Sequence, residues 1–338
     1  MRASRYTALG VLLAAASLGL AGCGNSSGGS AGSGASVQLA LVAYSTPQGA
    51  YTKLIKAFQA TAAGQNITFT QSYGASGDQS RAVAAGLKAD IVNFSLAPDM
   101  TRLVKAKLVD PSWSSGQYKG MITDSVVVIG TRKGNPKNLK DWPDLTKPGV
   151  QVITPNPFTS GGARWNVMAA YGATSSKGSN KQAGVSYLNA LFKNVPVQDD
   201  SARKSIQTFV AGKGDAFLSY ESEAINAQRN NQPVDYTVPS STILIENPIA
   251  VTSGSKHKKE AQAFLDFLYT PQAQQIWADS GYRPVVVGVA VGKFPTPSSL
   301  FTITDLGGWT KVAKDFFDTT SGVMADVEKS IGVSPTSK

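Results

Sequence analysis

The stretch Val152-Ile153-Thr154-Pro155-Asn156-Pro157-Phe158-Thr159-Ser160-Gly161-Gly162-Ala163-Arg164-Trp165-Asn166 reads as an apolar strand, a proline-rich turn, then Ser-Gly-Gly opening a helix. A helix start carries about half a positive elementary charge and four backbone donors without intrahelical partners. Two glycines there leave the N–H groups bare, which makes a ready seat for a small anion. Ser160 stands at the N-cap position, where serine is favoured for capping alone. By itself the motif is therefore as well explained by an ordinary capped helix. The rest of the chain has to decide.

Working outward, strands and helices alternate. Val37 to Ala43 reads as a buried strand, followed by a helix opened by Pro47 with Tyr51, Leu54, Ile55 and Phe58 on one face. Strands are predicted at 67–71, 91–96, 125–130, 151–154, 216–219 and 242–246. Helices are predicted after the Gly74-Ala75-Ser76-Gly77 turn through Leu87, and around 100–106, 163–171, 181–193, 221 onward, 258–268, 271–279 and from about 311. Such alternation argues for an α/β fold with mostly parallel sheets.

The N-terminus has the layout of a secretory signal. Arg2 and Arg5 give a basic start, Tyr6 to Leu20 is apolar, and Leu20-Ala21-Gly22-Cys23 follows. This tetrapeptide resembles the bacterial lipobox, which implies cleavage before Cys23 and lipid on its sulfur. Cys23 is the only cysteine, so an internal disulfide or a cysteine-based zinc site is excluded. Asn25 to Ser36 is nearly all Gly, Ser and Ala, the composition of a flexible tether. Residues 1–22 are thus expected as signal peptide, 23–36 as tether, and the folded body from Val37. That body is long enough for two domains.

The formal net charge is +10, with 42% hydrophobic and 16% charged residues. Lysines and arginines are scattered; only Lys256-His257-Lys258-Lys259 clusters, at a helix start. An exported chain of this pattern points away from nucleic acid and towards mild attraction of anions.

In open α/β sheets ligands sit beyond the carboxyl ends of strands. Five strand or helix ends carry small hydroxyl residues or glycine: Tyr44-Ser45, Gly74-Ala75-Ser76-Gly77, Ser160-Gly161-Gly162, Asp200-Ser201-Ala202-Arg203 and Ser219-Tyr220. Capping explains each one singly; the functional reading is that several converge on one anion. Absences narrow the alternatives. The single histidine, His257, makes a Ser–His–Asp triad and a histidine metal site unlikely readings. Neither a P-loop nor a Gly-x-Gly-x-x-Gly turn occurs. Asp199, Asp200, Glu221 and Glu223 near strand ends keep an acid–base carboxylate pair open, as in a hydrolase.

The chain resembles the sulfate/thiosulfate-binding proteins of bacterial ABC importers. The resemblance rests on Arg132-Lys133-Gly134-Asn135-Pro136-Lys137, Lys147-Pro148-Gly149-Val150, the Val152 to Asn166 stretch, Tyr282-Arg283-Pro284, and Phe301-Thr302-Ile303 with Gly307-Gly308-Trp309. It implies a two-lobed, periplasmic-binding-protein-like (type II) α/β fold with a ligand cleft between lobes joined by crossing strands. Lobe one is expected over 37–121 with a return over 242–338 that includes the C-terminal helices, and lobe two over 122–241. It implies a binder that closes by hinge motion, catalyses nothing and needs no cofactor or metal. Its partners would be sulfate or thiosulfate, the membrane permease subunits, and the membrane through lipid on Cys23, with a monomer as the working form.

Carried over position by position, the resemblance implies backbone donors at Ser45, Ser76, Gly161, Gly162 and Ala202 and a hydroxyl donor at Ser160. Arg203 matches an arginine that supports the site without touching the anion. One position departs: sulfate binders place a tryptophan N–H where this chain has Tyr220. A tyrosine hydroxyl also donates, and the related molybdate binders use a tyrosine comparably, so molybdate or another tetrahedral oxyanion stays an alternative cargo. A site made of donors suits a full dianion, and no carboxylate is expected to contact it.

Overall fold

A computed structural model describes residues 36–335; the signal segment, Cys23 and the Gly/Ser stretch up to Ala35 lie outside the described residues. The elements run β1 (Val37–Tyr44), α1 (Gln48–Gln59), β2 (Ile67–Gly74), α2 (Ser76–Ala84), β3 (Ile91–Asn93), α3 (Ala97–Lys105), β4 (Met121–Arg132), β5 (Val152–Ile153), α4 (Gly161–Thr174), α5 (Lys181–Lys193) and α6 (Ala202–Val210). They continue with β6 (Ala216–Tyr220), α7 (Glu221–Arg229), β7 (Val234–Thr237), β8 (Ser241–Val251), α8 (Lys258–Leu268), α9 (Pro271–Asp279), β9 (Arg283–Pro284), β10 (Ser299–Phe301), α10 (Gly308–Phe317) and α11 (Val323–Ser330). From Ser36 onward the chain forms one compact unit by its own contacts.

The strand path is β2-β1-β3-β8-β4-β6-β5. β1 runs parallel to β2 and β3, and β5 parallel to β6. The two long strands run against their neighbours: β8 is antiparallel to β3 and to β4, and β4 is antiparallel to β6, β7 and β9. The expectation of mostly parallel sheets is therefore corrected to a mixed sheet. The reason is connectivity: β4 and β8 each leave one lobe for the other, so they enter each sheet from the opposite side.

Those two strands give the fold its two lobes. The first half of β4 pairs with the middle of β8, over Met121–Val126 and Leu244–Pro248. The end of β8 joins β3, and the end of β4 joins β6 and β7. Each lobe is buried on both faces of its sheet, as apolar strands under crossover helices require. In the first, Leu39, Leu41 and Ala43 pack with Tyr51, Phe58, Phe264 and Trp277, while Val42 packs on the opposite face with Phe94, Met100 and Leu103. In the second, Val127 and Ile129 pack with Trp165, Met168 and Leu188, and Val126 and Val128 with Phe209 and Phe217. This two-residue alternation is the strand period. The C-terminal helices cover the second lobe: Val312, Phe316 and Met324 share a cluster with Tyr171 and Leu188.

Sequence-predicted helices 181–193, 258–268 and 271–279 are found at those residues. β4 and β8 are longer than predicted, because their crossing portions carry polar residues such as Thr123, Asp124, Glu246 and Asn247. β3 is shorter, ending at Asn93 rather than Leu96, and α3 starts earlier, with Pro98 in its first turn. Pro47 occupies the N-cap of α1 rather than its first helical position.

α11 is held to the segment before α6 by a bond from Gln198 Nε2 to Glu328 Oε2 (2.7 Å). Burial pushes the Glu328 carboxyl up to about 7, the bond from Gln198 opposing. In the unfolded chain this carboxyl titrates near its ordinary value of 4.5, so between the two values the folded chain binds more protons. Stability then falls as pH rises through that window. Asp124 is pushed up to about 7 by burial and by Glu246, its register partner across the crossing strands, and titrates there too. Thermal melts from pH 5 to 8 should show a falling melting temperature, and Glu328→Gln should flatten part of that slope; an unchanged slope would contradict a buried, proton-retaining Glu328.

Candidate functional site

Six loop and helix ends meet at the junction of the lobes. Tyr44 and Ser45 close β1, Ala75 and Ser76 open α2, and Ser95 follows β3. From the other lobe come Ser160, Gly161 and Gly162 at the start of α4, Ala202 at the start of α6, and Tyr220 at the end of β6. Together they line one small, tightly closed cavity. Each sequence-predicted contact, Ser45, Ser76, Ser160, Gly161, Gly162, Ala202 and Tyr220, lies on this wall.

The local geometry follows from capping. Ser160 is extended (φ −96°, ψ 123°) and its Oγ accepts the Ala163 N–H at 3.3 Å. Ser201 caps α6 in the same way, accepting from the Lys204 N–H at 3.4 Å. These bonds satisfy donors one turn in. The N–H groups of Ser76, Gly161, Gly162 and Ala202 lie ahead of them, where a helix offers no acceptor. Neither these nor the Ser45 N–H find one elsewhere in the described backbone. The glycines are required by approach: a Cβ on Gly161 would stand 2.5 Å from Ser95 Oγ, and one on Gly162 2.9 Å from the Tyr220 ring.

The hydroxyls divide into committed and free. Ser76 Oγ donates to Asp99 Oδ2 (2.7 Å) and accepts from the Ser95 N–H (2.9 Å). Asp99 is buried, shared with Arg102 Nη1 at 2.8 Å, and stands behind the wall. Tyr220 OH and Ser95 Oγ are 2.5 Å apart. Burial pushes the Tyr220 hydroxyl well above its ordinary value, the bond to Ser95 opposing, so it keeps its proton and can donate.

The wall carries no carboxylate and no lysine, arginine or histidine. Arg203 faces away from it, donating from Nη2 to Thr46 O (2.7 Å) and to buried Glu223 (2.9 Å). It thereby fixes the peptide beside Ser45. Burial raises the Glu223 carboxyl and Arg203 counters it. The other carboxylates considered for acid–base work are also engaged elsewhere. Glu221 pairs with Arg283 (2.7 Å), Asp200 with Lys204, and Asp199 accepts from Ser205 (3.1 Å) and Thr208 (2.9 Å). The facing carboxylate pair that a hydrolase needs does not line this cavity. His257 stands at the N-cap position of α8, without a side-chain capping bond, on a cleft that shares no residue with this cavity. Among the described residues no group of three or more His, Cys, Asp or Glu could hold a metal.

Ser95 is the wall residue that sequence reasoning passed over, because the strand was read through to Leu96. The available signal was a serine between an apolar run and the helix-opening Ala97-Pro98, the same pattern as at the other ends.

Comparison with known proteins matches residues 39–283 to the family described as bacterial extracellular solute-binding protein. A sulfate-binding protein of Synechococcus elongatus is 43% identical, with 88% of this chain and 89% of that one aligned. A thiosulfate-binding protein of Escherichia coli is 37% identical over 77% of this chain and 80% of its own. Among solved structures, the sulfate-binding protein SubI of Mycobacterium tuberculosis superposes with a TM-score of 0.82 at 47% identity, covering 83% of this chain and all of that one. With its two α/β lobes, its crossing strands and a family match spanning residues 39–283, the chain belongs to the bacterial extracellular solute-binding proteins.

Proposed function

We propose that this chain captures sulfate or thiosulfate outside the cytoplasm and delivers it to an ABC importer, held to the membrane by lipid on Cys23. The observation that carries the reading is the wall of the cavity. Five backbone N–H groups without an internal acceptor line it together with the hydroxyls of Ser160, Ser95 and Tyr220, and no carboxylate does. Such a wall offers donors to every oxygen of a dianion. The starts of α2, α4 and α6 supply positive partial charge without a charged side chain.

Selectivity follows from the same inventory. Sulfate has no proton near neutral pH. A hydrogen phosphate would bring an O–H among donors, and an unmade buried bond costs about 1–3 kcal/mol. The lobes are taken as 37–121 with a return from Thr242, and 122–241, turning about the paired stretch of β4 and β8; the C-terminal helices α10 and α11, expected with the first lobe, instead pack on the second. Tyr220 on the wall favours a second reading, molybdate or another tetrahedral oxyanion, with the same fold and transfer role.

Two experiments test this. Calorimetry on the chain from residue 24 onward should show sulfate or thiosulfate binding tightly at pH 7. Phosphate should bind about ten- to a hundredfold more weakly; molybdate ahead of sulfate would reassign the cargo, and silence to all would sink the oxyanion reading. Expressed in a bacterium that processes lipoproteins, the chain should fractionate with membranes, and Cys23→Ser should release it. Membrane retention of the variant would refute the lipid tether.

A further inference from the structure

We propose that Ser95 is a second, interchangeable ligand donor, and that Ser95 and Tyr220 present a single shared O–H to the bound anion. The inference rests on the oxyanion reading above and adds a residue to it.

The argument is a count of protons. Ser95 Oγ and Tyr220 OH are 2.5 Å apart, both buried, and both on the cavity wall. Two hydroxyls carry two protons, and the bond between them uses one. Each can donate or accept, so the bond runs in either sense. If Ser95 donates to Tyr220, the phenol proton is left for the cavity. If Tyr220 donates to Ser95, the serine proton is left. Among the described residues neither hydroxyl has a hydrogen bond besides the one between them, so the spare proton has no other acceptor. Ser95 is in reach of an anion seated on α4, because its Oγ lies 2.5 Å from where a Cβ of Gly161 would stand.

The backbone of Ser95 does not depend on its side chain. Its N–H donates to Ser76 Oγ at 2.9 Å. Its carbonyl accepts from Trp165 Nε1 (2.8 Å) and Asn247 Nδ2 (2.9 Å). Ser95→Ala keeps all three bonds and deletes the hydroxyl alone. Tyr220→Phe keeps the ring, which packs against Tyr44 at 6.0 Å between centroids. Each single deletion therefore frees the survivor's proton for the ligand.

The test is a double-mutant cycle read as sulfate affinity by calorimetry at pH 7, with melting temperatures of the ligand-free variants as a check on folding. Ser95→Ala and Tyr220→Phe should each bind within about threefold of the parent. The double variant should bind about ten- to a hundredfold more weakly, the loss of one hydrogen bond to a charged group. Tyr220→Phe alone falling tenfold or more, with Ser95→Ala unchanged, would make Tyr220 the sole donor and overturn the proposal. Both singles falling as far as the double would overturn it too, by making the pair an obligatory chain. A tenfold loss in Tyr220→Phe alone overturns the proposal even if the double variant is unstable, and a folded double variant that binds sulfate like the parent overturns it as well. A parent chain that binds no oxyanion would instead overturn the reading on which this one stands.

Discussion

Backbone N–H groups at helix starts have no partner inside their own helix, and leaving such a donor buried and unpaired costs about 1–3 kcal/mol. This chain brings the starts of α2, α4 and α6 and the end of β1 to one small cavity. The side chains that could have answered those donors are turned away from it. Asp99 takes the Ser76 hydroxyl, Glu223 takes Arg203, and Glu221 takes Arg283. Donors gathered without an acceptor define their complement: a small group with acceptors on all sides and negative charge. The glycines at 161 and 162 and the small residues Ser76 and Ala202 belong to the same constraint, since larger side chains would fill the space into which the N–H groups point.

The convergence is produced by the crossing of β4 and β8. The first half of β4 pairs with the middle of β8, and each continues into a different sheet, so the two sheets share a seam. Polar residues sit along that seam in definite bonds. Asn247 donates to the Ser95 carbonyl and accepts from Thr123, which ties the wall of the cavity to the crossing strands. Asp124 and Glu246 face each other there, and burial holds both carboxyls above their ordinary range. The region about which the lobes would turn is thus chemically linked to the ligand wall.

Much of this was legible along the chain. The helix opened by Thr270-Pro271, a plain start signal, was read to the residue, and so was α5 over 181–193, whose Asn180 cap only the structure brings out. The crossing strands were read short because Thr123, Asp124, Glu246 and Asn247 look unlike buried strand residues until their partners are known. At the site, hydroxyl residues and glycines at strand ends were visible, but each was equally a cap. Their meeting is a tertiary property that no local spacing encodes. The particular backbone positions came from resemblance to sulfate- and thiosulfate-binding proteins, and the structure places all of them on one wall. Ser95 was missed for a physical reason: buried serine after an apolar run reads as strand, and only its 2.5 Å contact with Tyr220 reveals a wall group.

The central claim is that donors alone hold the ligand. A crystal structure of the chain grown with sulfate tests it most directly. The account predicts sulfate oxygens within about 2.7–3.2 Å of the N–H groups of Ser45, Ser76, Gly161, Gly162 and Ala202, with hydroxyls completing the shell. A carboxylate, lysine or arginine side chain in direct contact with the anion, or sulfate seated away from this cavity, would contradict it.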